Sequence, residues 1–147
     1  LPLSPDKFDK FIFSLADILA IEMEPRMKSH WLEHKGKRVF LADYSGLGDD
    51  SEAIYTEGQY IIQELKNNPG GNALVINDLH DTHSSIANSN MVKKILAQTN
   101  GLVSKRAVIG LTSTTRYFVS ALIHLTGKGS LVQFDSLEKA LDWIVEE

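Results

Sequence analysis

The sequence predicts an α/β domain of layered build: a mostly parallel sheet that opens with an N-terminal β-hairpin and carries helices packed on it. Three observations predict it. From residue 50 onward, segments with apolar residues at helical spacing alternate with short apolar runs, and such alternation marks a layered sheet joined by right-handed crossovers. The runs 73–76 and 106–110 read as strands of the fully buried kind. No repeat, low-complexity tract or linker interrupts the 147 residues, so a single domain is expected over 1–147, with 1–24 as an added N-terminal helix.

Composition narrows the classes. With 43% hydrophobic residues a chain of this length buries a core without disulfides or metal. The net charge is −4 and the pI is near 5.7, whereas nucleic-acid binders usually present a basic face; no nucleic-acid partner is expected. The absence of cysteine excludes disulfides, thiol catalysis and cysteine zinc sites, and is compatible with a reducing, cytoplasmic setting. The apolar segment 8–21 is interrupted by Lys10, Ser14 and Asp17. It is too short and too charged for a membrane span, and it lacks the leader and cleavage pattern of a signal peptide.

The elements follow in order. Ser4 caps a first helix, with Pro5 at its first position and Asp6 at its positive end. Phe8, Phe11, Ile12, Leu15, Ile18 and Leu19 make one face, and Glu24 before Pro25 ends the helix. That face is expected to dock on its own domain, with a symmetric homodimer as the alternative. Segments 28–34 and 38–44 flank the short turn at Lys35, Gly36 and Lys37 and read as a hairpin. Loop 45–50 closes on an Asp cap. The next helix carries Ile54, Tyr55, Gly58, Ile61, Ile62 and Leu65 on one face, and Asn67, Asn68, Pro69, Gly70 and Gly71 stop it. Strand 73–76 leads through a polar loop to a helix with Met91, Val92, Ile95 and Leu96. Strand 106–110 precedes a helix over 114–126 that buries Tyr117, Phe118, Ala121, Leu122 and Leu125. After strand 131–134, Asp135 with Glu138 reads as a capping-box start for a helix that buries Leu137, Leu141, Ile144 and Val145.

From His34 onward the chain resembles bacterial STAS-like (SpoIIAA-like) domains, related to the anti-sigma-factor antagonist of sporulation and to cytoplasmic domains of sulfate transporters. The residues that carry the likeness are 35–37 through Asp43, Tyr44, Ser45 and Gly46, the segment 106–112, the more distant Arg116, the segment 126–134, and Ala140 to Ile144 around Trp143. The resemblance implies a SpoIIAA-like layered fold and a non-enzymatic regulatory, protein-interaction or small-ligand role. Antagonists of this family carry a phosphorylatable serine in an Asp-Ser-Ser/Thr-Gly context. The matching place here holds Asp81, Thr82, His83, Ser84 and Ser85, with hydroxyls but no glycine.

Two loops are candidate sites. In the first, Asp78, His80, Asp81, Thr82, His83, Ser84 and Ser85 mix carboxylate, imidazole and hydroxyl. They could ligate a metal, pair a serine with a base, or form a phosphoacceptor or recognition loop through Asp81, Thr82, Ser84 and Ser85. The plain reading is local backbone capping in a strand-to-helix loop. In the second, Thr112, Ser113, Thr114, Thr115 and Arg116 follow a strand and open a helix, where free N–H groups, hydroxyls and a guanidinium suit a small anion; the plain reading is a cap with Arg116 solvated or paired. The first loop has no Gly-x-Ser-x-Gly elbow and the second lacks the Gly-Lys-Ser/Thr ending of a phosphate-binding loop. No catalytic residue, cofactor or metal is therefore assigned. If the strands ending at 44, 77 and 110 are parallel, their carboxyl ends share the rim at which open α/β sheets bind ligands. Trp31 and Trp143 read as packing residues, and the sequence shows no partner for His30, His34 or His124. A protein partner or a second copy is the leading expectation, a nucleotide, anion or lipid the alternative, and an enzyme using the 78–85 loop the last.

Overall fold

The computed structural model describes residues 27–82, 86–112 and 131–147. The segment 1–26, the serines of 83–85 and the helix expected over 114–126 lie outside the described residues. β1 (His30–His34) and β2 (Lys37–Asp43) pair antiparallel. They turn through Lys35 and Gly36, both left-handed at φ 50° and 80°, the two-residue geometry that matches strand twist.

β3 (Ala73–Asp78), β4 (Val103–Ile109) and β5 (Leu131–Phe134) then add in parallel, so the spatial order β1-β2-β3-β4-β5 repeats the chain order. A parallel order that never reverses places successive right-handed crossovers on the same face. α1 (Ser51–Lys66) and α2 (Ile86–Thr99) indeed share one face. There Phe40, Ala42 and Val75 meet Ile54, Ile61, Leu65 and Ile95. The alternate strand positions Val39, Leu41, Ile76, Ala107 and Ile109 face the other way and are covered by α3 (Leu137–Ile144) through Ala140 and Ile144. Each large side chain so buried contributes about 1.5–3 kcal/mol.

Asp50 caps α1 as expected, its carboxylate accepting from Ala53 N at 3.0 Å. Three local readings are corrected. Tyr55 is not on the buried face of α1 but 54% exposed, and Glu57 is buried in its stead. The cap of α3 is Ser136, whose Oγ accepts from Lys139 N at 3.2 Å, one residue after the expected Asp135. His34 has a partner, Asp142, at 2.8 Å, while His30 Nδ1 lies 2.8 Å from Lys28 O. Both tryptophans pack as expected. Trp31 lies on Phe40 with ring centroids 4.9 Å apart and carries Arg38 over its face, and Trp143 meets Phe134 and Lys105. Among the described residues no helix is long and apolar enough to cross a membrane.

Candidate functional site

The four parallel strands end level with one another. Asp43 is in register with Asp78, Asp78 with Ile109, and Ile109 with Phe134. The segments that follow are laced along this carboxyl rim by backbone hydrogen bonds: Tyr44 N to Asp78 O, Gly46 N to His80 O, Gly48 N to Asp81 O and Leu79 N to Ile109 O, all between 2.7 and 3.0 Å. The convergence expected of parallel strands is thus present. Among the described strands the order contains no reversal, however, so they form no topological switch point of the kind that opens a ligand crevice in doubly wound sheets.

A cleft of about 450 Å³ sits on the β4–β5 side of the rim, lined by His80, Gly110, Leu111, Thr112, Gln133, Phe134 and Asp135. Gly110 shapes its floor. Its φ is +82°, and a Cβ there would stand 2.5 Å from His80 N and 2.6 Å from His80 Nδ1, so only glycine lets the imidazole lie against this strand end. Asp78 fixes the ring from the other side. Its Oδ1 accepts from His80 N at 3.0 Å and lies 2.6 Å from Nδ1. With Nδ1 donating to the carboxylate, Nε2 is the imidazole's other polar atom, able to accept a proton or a hydrogen bond from a bound molecule. His80 is half exposed whereas Asp78 is largely covered.

On the β2 side a second network anchors the chain entering β1. Glu57 is buried; its Oε1 accepts from Lys28 N at 2.9 Å and its Oε2 from Ser29 Oγ at 2.8 Å. Ser29 Oγ accepts in turn from Asp43 N at 2.9 Å. Asp43 holds Ser45 through its backbone N–H and hydroxyl, with Lys28 Nζ at 3.5 Å and bonded to Ser45 O and Oγ. Burial would raise the Asp43 carboxyl, but the hydrogen bonds from Ser45 and the charge of Lys28 outweigh it and hold it below its ordinary value of 3.8. A depressed carboxyl stabilises the fold above its unfolded value, and that contribution is lost as pH falls through the folded value. The melting-temperature gap between wild type and Asp43→Asn is therefore expected to be full at neutral pH and to close below about pH 4. A gap unchanged in acid would mean that Asp43 acts through shape and not charge.

Beneath the rim, Tyr44 is buried between α1 and the sheet; burial first, then the Glu57 carboxylate, push its phenol well above the usual range. Arg106, on the same face, donates from Nη2 to Thr99 Oγ1 at 2.6 Å. The hollow around them amounts to about 40 Å³.

Of the expected phosphoacceptor loop, Asp81 is exposed and left-handed at φ 56°, and Thr82 Oγ1 donates to Leu79 O at 2.6 Å, the local capping of the plain reading. Ser84 and Ser85 lie outside the described residues. Of the expected anion loop, Thr112 lines the cleft, whereas Ser113, Thr114, Thr115 and Arg116 lie outside the described residues. The structure therefore brings Asp78, His80 and Thr112 to one rim and adds Gly110, Gln133 and Asp135. Among the described residues no group of three or more His, Asp or Glu side chains could hold a metal.

No family model and no curated protein matches the chain. Among solved structures it is similar to an uncharacterized protein of the DUF3478 family with a SpoIIAA-like fold from Shewanella loihica PV-4. The two are 12% identical with a TM-score of 0.60, over 83% of this chain and 98% of that one. The fold of this chain, a hairpin followed by parallel strands with helices on both faces, is SpoIIAA-like.

Proposed function

We propose that the chain is a non-enzymatic regulatory domain that acts by docking a protein partner on the carboxyl rim of its sheet. The rim cleft carries this reading. It is open and bordered by polar groups from two loops and the end of β5, His80, Thr112, Gln133 and Asp135, and polar, solvent-facing edges suit protein recognition. The hollow below the rim, at about 40 Å³, is too small for a nucleotide or a lipid, so only the open cleft of about 450 Å³ has room for either. Asp50, Asp81 and Asp135 are exposed around the rim, so the partner surface that complements it is basic.

Photo-crosslinking from position 133 in host cells identifies the partner, and purified components then give the affinity. Asp81→Lys together with Asp135→Lys is expected to weaken binding about tenfold, mostly through slower association. Affinity indifferent to both reversals would move the interface off the rim. Turnover of any substrate that is abolished by His80→Gln would replace the binding reading with an enzymatic one.

A further inference from the structure

A guanidinium lies partly buried under the rim, and the described residues offer it no opposite charge. Arg106 leaves β4 on the face covered by α1 and α2, where its Nη2 donates to Thr99 Oγ1 at 2.6 Å. Thr99 is fully buried and passes its own proton to Ile95 O at 2.8 Å. Burial lowers Arg106 to about 10, so it stays cationic at neutral pH. None of the described ion pairs includes it. The buried carboxylate of the same layer, Glu57, has both oxygens engaged by Lys28 N and Ser29 Oγ. Even partial removal of a charge from water is costly without a counter-charge, and beside this one the packing leaves a hollow.

The hollow is small and mostly apolar, with a few polar side chains on its wall. Tyr44, Asn77, Thr99 and Arg106 line it among apolar side chains such as Val75 and Ile95, and it measures about 40 Å³. A single water needs about 10–15 Å³ on this measure, so the space admits one monatomic ion with a water and excludes anything of nucleotide size. We infer that this hollow is a binding site for one small monovalent anion of chloride size, held by Arg106 with the Tyr44 hydroxyl as a further donor. The ion completes the electrostatics of the interior and is separate from the rim cleft, so it stands whether or not the rim binds a partner.

Crystals soaked in bromide, with anomalous data collected at the bromine edge, test the site on the wild-type protein. A bromide peak within hydrogen-bonding reach of the Arg106 guanidinium is expected. In solution, melting in about 100 mM chloride is expected to lie about 3 °C above melting in gluconate at equal ionic strength. That difference should vanish in Arg106→Met. Waters without anomalous signal in the hollow, or a chloride-specific shift that survives in Arg106→Met, would overturn the site. Should Arg106→Met fail to fold, the bromide experiment decides alone.

Discussion

Gly110→Val is expected to lower the melting temperature by about 10 °C and to dislodge His80 from the rim. The backbone at Gly110 is left-handed at φ +82°, which costs a side-chain-bearing residue about 1–2 kcal/mol. The added Cβ also meets the backbone nitrogen of His80 at 2.5 Å and its ring at 2.6 Å; overpacking of this sort adds about 1–3 kcal/mol. At about 2–4 °C per kcal/mol for a chain of this size, the sum gives the expected shift. A double-mutant cycle with His80→Ala separates the two contributions. Removing the imidazole relieves the ring contact but neither the φ cost nor the contact with the His80 nitrogen, so Gly110→Val should cost about 1 kcal/mol less in that background. An identical cost in both backgrounds would show that the ring is not pressed against this glycine.

The second large effect is expected at Glu57. Glu57→Leu removes the acceptor of Lys28 N–H and of Ser29 Oγ. A buried donor left without a partner costs about 1–3 kcal/mol; buried Ser29 loses its acceptor outright, while the N–H of exposed Lys28 can turn to water, so a loss of about 2 kcal/mol is expected. Glu57→Gln keeps the shape and one acceptor, and should cost about 1 kcal/mol. Amide hydrogen exchange locates the damage. The N–H groups of Lys28 and Asp43, tied to Glu57 directly and through Ser29, should exchange much faster in Glu57→Leu, while those in the middle of β3 change only with global stability. Equal acceleration everywhere would mean that Glu57 supports the whole core and not the entry to β1.

The described elements were legible because their signals are local. The glycine turn at 35–37, the cap at Asp50, the apolar run 73–76 and the period of Leu137, Leu141 and Ile144 each announce themselves within a few residues. Glu57 shows where hydropathy misleads. Positions 54, 57, 58, 61 and 65 fall on one helical face by spacing alone; reading for apolar type placed Tyr55 there instead. The pattern held the answer, since a carboxylate on an apolar stripe asks for buried donors. His34 with Asp142 was beyond reading, because the partners stand 108 residues apart and meet only once α3 has packed back onto the sheet. The rim was readable as a topology but not as a site. Nothing near His80 in the sequence says that Gly110 yields it space or that Gln133 and Asp135 close the cleft; those relations exist only in the register of β3, β4 and β5.

That the strands lie side by side in chain order bears on how the protein is made. During synthesis the amino-terminal part of a chain emerges first, and here each parallel strand can dock beside the one before it without waiting for a later neighbour. α1 and α2 arrive between strands and cover their face as the sheet widens. On the opposite face the described cover comes last: Val39, Leu41, Ile76, Ala107 and Ile109 meet Ala140 and Ile144 only once Leu137–Ile144 has left the ribosome and packed across them. The contacts that α3 makes with the sheet are therefore among the last to form on a nascent chain, and they join its carboxyl-terminal end to strands made long before.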